Sequence, residues 1–253
     1  MRWIERARLR LLEAELPGAR ALFTTRLGGV SEGPYAALNI GLLTGDAWAA
    51  VGENRRRVAA AAALDPEAML MGHQVHGAHV EVRNEAPRPN PYPDPDGARP
   101  HDADGQATAR PELAPLVLVA DCLPVALAGP RGVAMLHCGW RGLAAGIIER
   151  GVEALGEAHH AAIGPGIGPC CYEVGPDVLA RFESLGGGVA TGRMLDLRTI
   201  ARMLLERAGV DAVEVSELCT SCNPELFFSH RRDGERTGRQ AGLVRLLDDV
   251  GGP

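Results

Sequence analysis

Two apolar runs, VLVADCLPVAL (residues 117–127) and GVAMLHCGW (residues 132–140), stand on either side of the turn signal Gly129-Pro130-Arg131-Gly132. Both are rich in Val, Leu and Ala and bounded by glycine or proline, so each is expected to form a buried strand, joined to the other by a tight turn. That pairing constrains the rest of the chain, because it carries one cysteine and one histidine toward each other. Cys122 is placed inside the first strand and His137 near the end of the second. The small residues of Gly139-Trp140-Arg141-Gly142 then permit close backbone approach and the start of a helix over GLAAGIIERGVEAL.

A core large enough to bury these strands is available: 46% of the 253 residues are hydrophobic, and one compact domain over residues 1–253 is expected. The formal charge of -6 argues against a chain that coats nucleic acid or an anionic membrane, so small solutes are the expected partners. All 26 basic residues are arginine. Lysine Schiff-base and P-loop chemistry are therefore excluded, and any anion must be held by guanidinium forks or backbone N–H groups. The opening MRWIERARLRLLEAEL alternates charged and apolar residues without the apolar run of a secretory signal, and no stretch is long enough to span a membrane. A cytoplasmic protein with reduced or metal-bound cysteines is the expectation.

Along the chain, RALFTTRLGGVSEGPYAALNIG reads as a strand entering a glycine-punctuated loop that exposes Arg26. WAAVGENRRRVAAAAAL reads as a helix capped by Asp46 and stopped before Pro66, with Arg55, Arg56 and Arg57 on a solvated face or one of them turned inward. The proline-dense segment NEAPRPNPYPDPDGARPHDADG is a long loop, expected to act as a mobile lid. AAIGPGIGPCCYEVG is a strand followed by a loop; its prolines break any dinucleotide-binding glycine pattern. PDVLARFESL and LRTIARMLLERAGV read as helices, the second with a stripe of Ile200, Met203, Leu204 and Ala208, and DAVEVSEL reads as a strand. FFSHRRDGERTGRQAGLVRLL reads as a hairpin ending in a final strand.

Three residues form a candidate ligand set: His76, Cys122 and His137. Each alone is more commonly a packed or hydrogen-bonded residue. Together they offer the nitrogen and thiolate donors zinc prefers, with an open fourth position of the catalytic kind. Within HQVHGAH, an extended or turn conformation lets only one of His73, His76 and His79 reach such a site, and spacing alone does not select which. Cys170-Cys171 and the single C-x-x-C of Cys219 and Cys222 give a weak metal signal and are read as packing residues.

The motifs TTRLGGVSEGPYAALNIG, Gly45-Asp46, ENRRR, QVHG, DADGQAT, ADCLPV, HCGWRG, IGPGIGPCCYEVG and CTSCNPELFFSHRRDGERTGR occur in an order that resembles the laccase-domain, YfiH-type family of polyphenol oxidase-like proteins over nearly the whole chain. The resemblance implies an α+β fold of mixed sheets flanked by helices, related to cysteine hydrolases of the cytotoxic necrotizing factor type. It also implies a metal on the histidine of QVHG, the cysteine of ADC and the histidine of H-x-GWRG, which are His76, Cys122 and His137. The implied activity is purine nucleoside phosphorylase, with adenosine deaminase and methylthioadenosine phosphorylase activities, beside an older polyphenol oxidase label. Departures from the family pattern are His73 before QVHG, Gln106, Cys138 and His230.

Zinc is the expected metal, with copper the alternative, since one His-Cys-His set with Met135 nearby resembles a blue-copper ligand group while eight histidines are few for a multicopper enzyme. Phosphorolysis needs an anion clamp, for which Arg26, Arg141, Arg231 and Arg232 are the candidates. The alternative mechanism makes Cys122 a nucleophile and His137 its base, as in an amidase acting on a cell-wall precursor.

Overall fold

A computed structural model describes residues 1–85 and 101–247. Fourteen strands occur among the described residues: β1 (Arg2–Arg6), β2 (Leu9–Leu16), β3 (Ala19–Thr24), β4 (Met69–Leu70), β5 (Val80–Val82), β6 (Gly105–Thr108), β7 (Ala114–Val119), β8 (Leu123–Gly129), β9 (Gly132–Cys138), β10 (His160–Ile163), β11 (Ala190–Thr191), β12 (Met194–Leu195), β13 (Ala212–Val215) and β14 (Gln240–Leu246). The helices are α1 (Trp48–Ala62), α2 (Trp140–Ala144), α3 (Ile147–Leu155), α4 (Pro176–Ala180), α5 (Leu197–Arg207) and α6 (His230–Asp233).

The strands build two mixed six-stranded sheets, ordered β1-β2-β3-β14-β7-β4 and β13-β10-β8-β9-β6-β5. Period-two alternation makes them the inner layers of a four-layer stack. On β8, Leu123, Val125 and Leu127 face α3 and α5, whereas Ala126 and Ala128, with Met135 of β9, face the other sheet, where they meet Phe23, Val117 and Val244. The outer face of the first sheet, through Leu22, Leu116 and Leu243, is covered by Val58, Ala59 and Ala62 of α1. Small residues on one face of β8 and large ones on the other let the two sheets approach closely while the helix layer is filled by leucine and isoleucine. The mixed α+β class agrees with expectation.

Where structure and sequence expectation part, a local cause is visible. VLVADCLPVAL is two strands rather than one: β7 belongs to the first sheet and β8 to the second, and the chain crosses between them at Asp121, whose φ is 97°. Cys122 thus lies in the crossover, one residue before β8. Asp46 does not cap α1, whose N-cap is Ala47; its carboxylate accepts from Ser31 Oγ at 2.6 Å and Asn39 Nδ2 at 2.9 Å. Arg55 of α1 is the inward-facing arginine and donates to the Ile40 carbonyl. GLAAGIIERGVEAL divides into α2 and α3 at Gly146, where φ is 87°. PDVLARFESL keeps one helical stretch, α4, and closes with a single 3-10 turn at Glu183–Leu185.

The face of α5 that is fully buried carries Leu197, Ile200, Ala201 and Leu205, leaving Met203, Leu204 and Ala208 half-buried beside it. The expected C-terminal hairpin is the short helix α6, capped by Ser229, followed by β14, which pairs with β3 and β7 rather than with a preceding neighbour. Most of the proline-dense segment read as a lid, residues 86–100, lies outside the described residues. Among the described residues no helix is long and apolar enough to cross a membrane.

Candidate functional site

The β8–β9 pairing sets Pro124 opposite His137 and Leu123 opposite Cys138. Cys122, just before β8, therefore emerges beside the end of β9 where His137 stands. His76 arrives from the loop between β4 and β5 in the left-handed region, with φ of 61°. The cause of that conformation is Asp104, fully buried, whose carboxylate accepts from three successive backbone N–H groups: Val75 at 3.1 Å, His76 at 2.9 Å and Gly77 at 2.7 Å. A strained non-glycine backbone persists only when its surroundings over-determine it, and this nest of donors around one carboxylate does so.

The same carboxylate meets His137 Nδ1 at 2.8 Å, leaving His137 Nε2 to face Cys122 and His76. The His76 and His137 ring centroids are 4.8 Å apart with planes inclined at 68°. One donor atom from each of His76, Cys122 and His137 lies within 4.8 Å of the others. Gly139 closes the group from below: a Cβ there would be 2.9 Å from Cys122 Sγ and 3.3 Å from His76 Cδ2.

Burial alone would push the Cys122 thiol up. The charge and hydrogen bond of His137, helped by His76, overcome it and pull the thiol down to about 6. Burial likewise works against the His137 cation, but the Cys122 thiolate and the Asp104 carboxylate raise it to about 9. Asp104 is penalised by burial, yet the His137 ring and the backbone donors hold it below the ordinary carboxylate range. Without a metal, each group thus favours the charged form of the other, thiolate at Cys122 and imidazolium at His137. The donor set also fits a metal: a soft sulfur, two imidazoles, and a carboxylate behind one imidazole that fixes its tautomer and orientation.

These three residues line a cavity of about 530 Å³. Its lining is both cationic and apolar. Arg55, Arg141, Arg231 and Arg239 line it together with Leu42, Met71 and Leu118, and Asp121 is the sole carboxylate among the described lining residues. Arg141 is exposed and stacks over Trp140 at 4.6 Å. Arg231 stacks over Tyr172 at 5.0 Å and donates to the Glu173 carbonyl at 2.9 Å. Asp121 is tied by Thr220 Oγ1 and by the Arg231 backbone N–H, both at 2.6 Å, which fixes the crossover that carries Cys122.

Five of the seven residues singled out by sequence converge on the cavity: His76, Cys122 and His137, together with Arg141 and Arg231. Arg26 and Arg232 do not line it. Arg26 donates to the carbonyls of Ala36 and Pro224 and stacks over Phe228, and Arg232 donates to those of Thr220, Ser221 and Phe227. The arginines that do line the cavity are Arg141 and Arg231 together with Arg55 and Arg239, and of these Arg55, Arg231 and Arg239 also donate to backbone carbonyls. Of the three histidines in HQVHGAH, His76 is the one that reaches the group; His73 lines the cavity but pairs with Asp102 at 2.8 Å. Sequence reasoning missed Asp104, Asp121 and Arg239, although Asp104 lies inside the DADGQAT motif and Asp121 directly precedes Cys122.

A family model described as multi-copper polyphenol oxidoreductase laccase matches residues 20–247. The chain belongs to this laccase-like family. A member from Geobacillus stearothermophilus, named purine nucleoside phosphorylase YlmD, is 38% identical over 251 residues, covering 90% of each chain. A Deinococcus radiodurans member, also named purine nucleoside phosphorylase, is 39% identical over 251 residues, with 94% of this chain and 93% of that one covered. The crystal structure of YlmD from Geobacillus stearothermophilus superposes with a TM-score of 0.88 at 36% identity, covering 97% of this chain and 99% of that one. A Neisseria meningitidis member gives a TM-score of 0.80 at 35% identity, covering 94% and 99%. The mixed-sheet architecture is therefore that of the family.

Proposed function

We propose that the chain is a zinc-dependent purine nucleoside phosphorylase, acting on adenosine- and inosine-type nucleosides, with adenosine deaminase and methylthioadenosine phosphorylase side activities. The observation that carries the reading is the placement of the His76–Cys122–His137 group in a cavity lined by guanidinium groups and apolar side chains. Relatives at 38% and 39% identity that are named purine nucleoside phosphorylases support it.

In this reading Arg141 and Arg231, with Arg239 beside them, hold phosphate as fork donors. Met71 and Leu118 receive the base, and their apolar contact excludes water from the reacting carbon. A phosphate oxygen bonds to ribose C1′ as the C1′–N9 bond breaks, and the purine leaves with the proton that hydrogen phosphate brings, giving ribose 1-phosphate and the free base. Asp104 keeps the proton of His137 on Nδ1, so that Nε2 is free to act as a ligand. Zinc held by His76, Cys122 and His137 would supply Lewis-acid polarisation of a substrate oxygen or nitrogen. A multicopper mechanism needs several histidine-rich sites; among the described residues the second group of potential ligands is made of cysteines alone.

One observation favours a second reading: a Cys122 thiolate beside a His137 cation is also the resting state of a cysteine nucleophile and its base, as in an amidase. Incubating metal-defined protein with adenosine, with and without phosphate, separates the two. Adenine and ribose 1-phosphate formed only with phosphate support the first, and inosine marks the deaminase side reaction. Amide hydrolysis that survives chelation, with no nucleoside turnover, would replace the first reading by the second.

A further inference from the structure

The four cysteines read from sequence as packing residues are gathered in space. The sulfur atoms of Cys170, Cys171, Cys219 and Cys222 all lie within 4.8 Å of one another, and all four are free thiols. Cys222 Sγ is 3.4 Å from Cys170 Sγ and 3.3 Å from Cys171 Sγ. A tetrahedral zinc with Zn–S bonds of about 2.3 Å needs its sulfurs about 3.8 Å apart, which lies between these separations and the outer limit of the group.

We propose that Cys170, Cys171, Cys219 and Cys222 form a second metal centre, a four-thiolate tetrahedral site for structural zinc. This site goes beyond the nucleoside reading and does not rest on it.

Three features of the surroundings support it. Cys170 and Cys222 are exposed, so bringing four thiols together gains little from apolar burial, the usual reason for a free cysteine to be kept. A disulfide would use two sulfurs, whereas Cys222 stands equally close to two partners and a fourth thiol completes the set. The chain is also shaped around the group: a Cβ on Gly168 would lie 3.2 Å from Cys170 Sγ, 3.4 Å from Cys219 Cβ and 3.5 Å from Arg198 Nη1.

Cys219 Sγ already accepts the Gly168 N–H at 3.2 Å, the kind of backbone donor that stabilises a metal-bound thiolate. A zinc tetrathiolate is a dianion, and Arg198 supplies positive charge beside it. Its side chain is 8% exposed, and its Nε has no partner among the described residues. Each thiol that binds releases its proton to solvent, so occupancy rises with pH.

The consequence for the fold is a clamp between the two loops that carry the cavity wall. Cys170 and Cys171 precede Tyr172, while Cys219 and Cys222 flank Thr220, the residue that holds Asp121. Apart from the thiols, a backbone bridge between Gly166 and Cys219, in which the Thr220 N–H donates to the Gly166 carbonyl at 3.1 Å, joins these loops.

The test uses the full chain loaded with zinc and freed of excess by gel filtration. Elemental analysis of wild type is expected to give about two zinc per chain, one at each group. C219S/C222S should halve that content, and H76A should halve it independently, so either site can fail without the other. Cobalt-loaded H76A should keep intense thiolate-to-cobalt charge-transfer absorption, and cobalt-loaded C219S/C222S should lose most of it. Should the cysteine variant fail to fold, wild type decides alone: with zinc bound, Cys170 and Cys222 should resist iodoacetamide despite their exposure and react after chelation. Unprotected Cys170 and Cys222 in zinc-loaded wild type, a disulfide among the four, or an unchanged zinc content in folded C219S/C222S would overturn the proposal.

Discussion

Replacing Asp104 by asparagine tests the construction of the candidate active site at its least visible point. The carboxylate has two pairs of donors to satisfy: Oδ1 meets His76 N–H and His137 Nδ1, and Oδ2 meets Val75 N–H and Gly77 N–H. An asparagine has one oxygen and must turn its NH2 toward one pair. Facing Val75 and Gly77, it leaves two part-buried N–H groups opposite a donor, at up to about 1–3 kcal/mol each, or up to about 2–6 kcal/mol together. Facing His76 and His137, it strands one N–H, about 1–3 kcal/mol. It then donates to His137 Nδ1, which drives the imidazole proton onto Nε2.

The second arrangement is the less costly, so D104N is expected to fold with a stability loss of about 1–3 kcal/mol. Its His137 would present the wrong tautomer, and zinc binding should weaken by about 10–100-fold, the usual cost of losing an orienting partner behind a ligand. Urea denaturation of the metal-free protein gives the first quantity, and competition with a zinc-binding dye gives the second. Nitrogen-15 chemical shifts of His137 report the tautomer directly. Wild-type stability together with wild-type zinc affinity in D104N would refute the reasoning, because no orientation of an amide satisfies all four donors while leaving Nε2 unprotonated.

G139A should keep the fold, since φ at this residue is an ordinary −80°, but its methyl group would displace Cys122 Sγ and weaken zinc binding by at least about tenfold; equilibrium dialysis measures this, and undiminished affinity counts against a shared ion. R141K should raise the phosphate KM by about tenfold through loss of the fork, while R232A, which removes bonds to three backbone carbonyls, should lower stability by at least about 2 kcal/mol and leave a smaller kinetic mark. The reverse ranking in phosphate titrations and thermal melts would overturn the division between clamp and scaffold. Cys122 in metal-free protein should alkylate with a rate that rises with pH through about 6, because its lowered pKa makes thiolate available well below the range of an ordinary thiol. Zinc should slow that alkylation at every pH; mass-spectrometric rates equally fast with zinc bound would favour the free-nucleophile mechanism.

What could be read in advance was the chemistry that local pattern controls. Two apolar runs about a turn placed Cys122 near His137, and the paired register confirms that neighbourhood. The absence of lysine assigned every anion contact to arginine or backbone. Pattern did not reveal how Cys122 is presented, because a continuous apolar run looks alike whether it makes one strand or passes from one sheet to the next. The break at Asp121 depends on Thr220 and the Arg231 N–H, about a hundred residues further along, and no local propensity reports such partners.

Arginine roles were hidden for a related reason. A guanidinium group serves equally well on phosphate and on a backbone carbonyl, and only the fold decides that Arg26 and Arg232 take carbonyls while Arg141 faces the cavity. The cysteines show the same limit most clearly. Cys170-Cys171 and Cys219-Cys222 are each weak signals, separated in the chain by two helices and three strands, and it is the parallel pairing of β10 with β13 that brings the loops after both strands to one end of the sheet. Parallel neighbours end on the same side, so ligands that follow the two strands can share an ion without any recognisable spacing between them. Asp121 links the two clusters among the described residues: it directly precedes Cys122 and accepts from Thr220 Oγ1, which lies between Cys219 and Cys222.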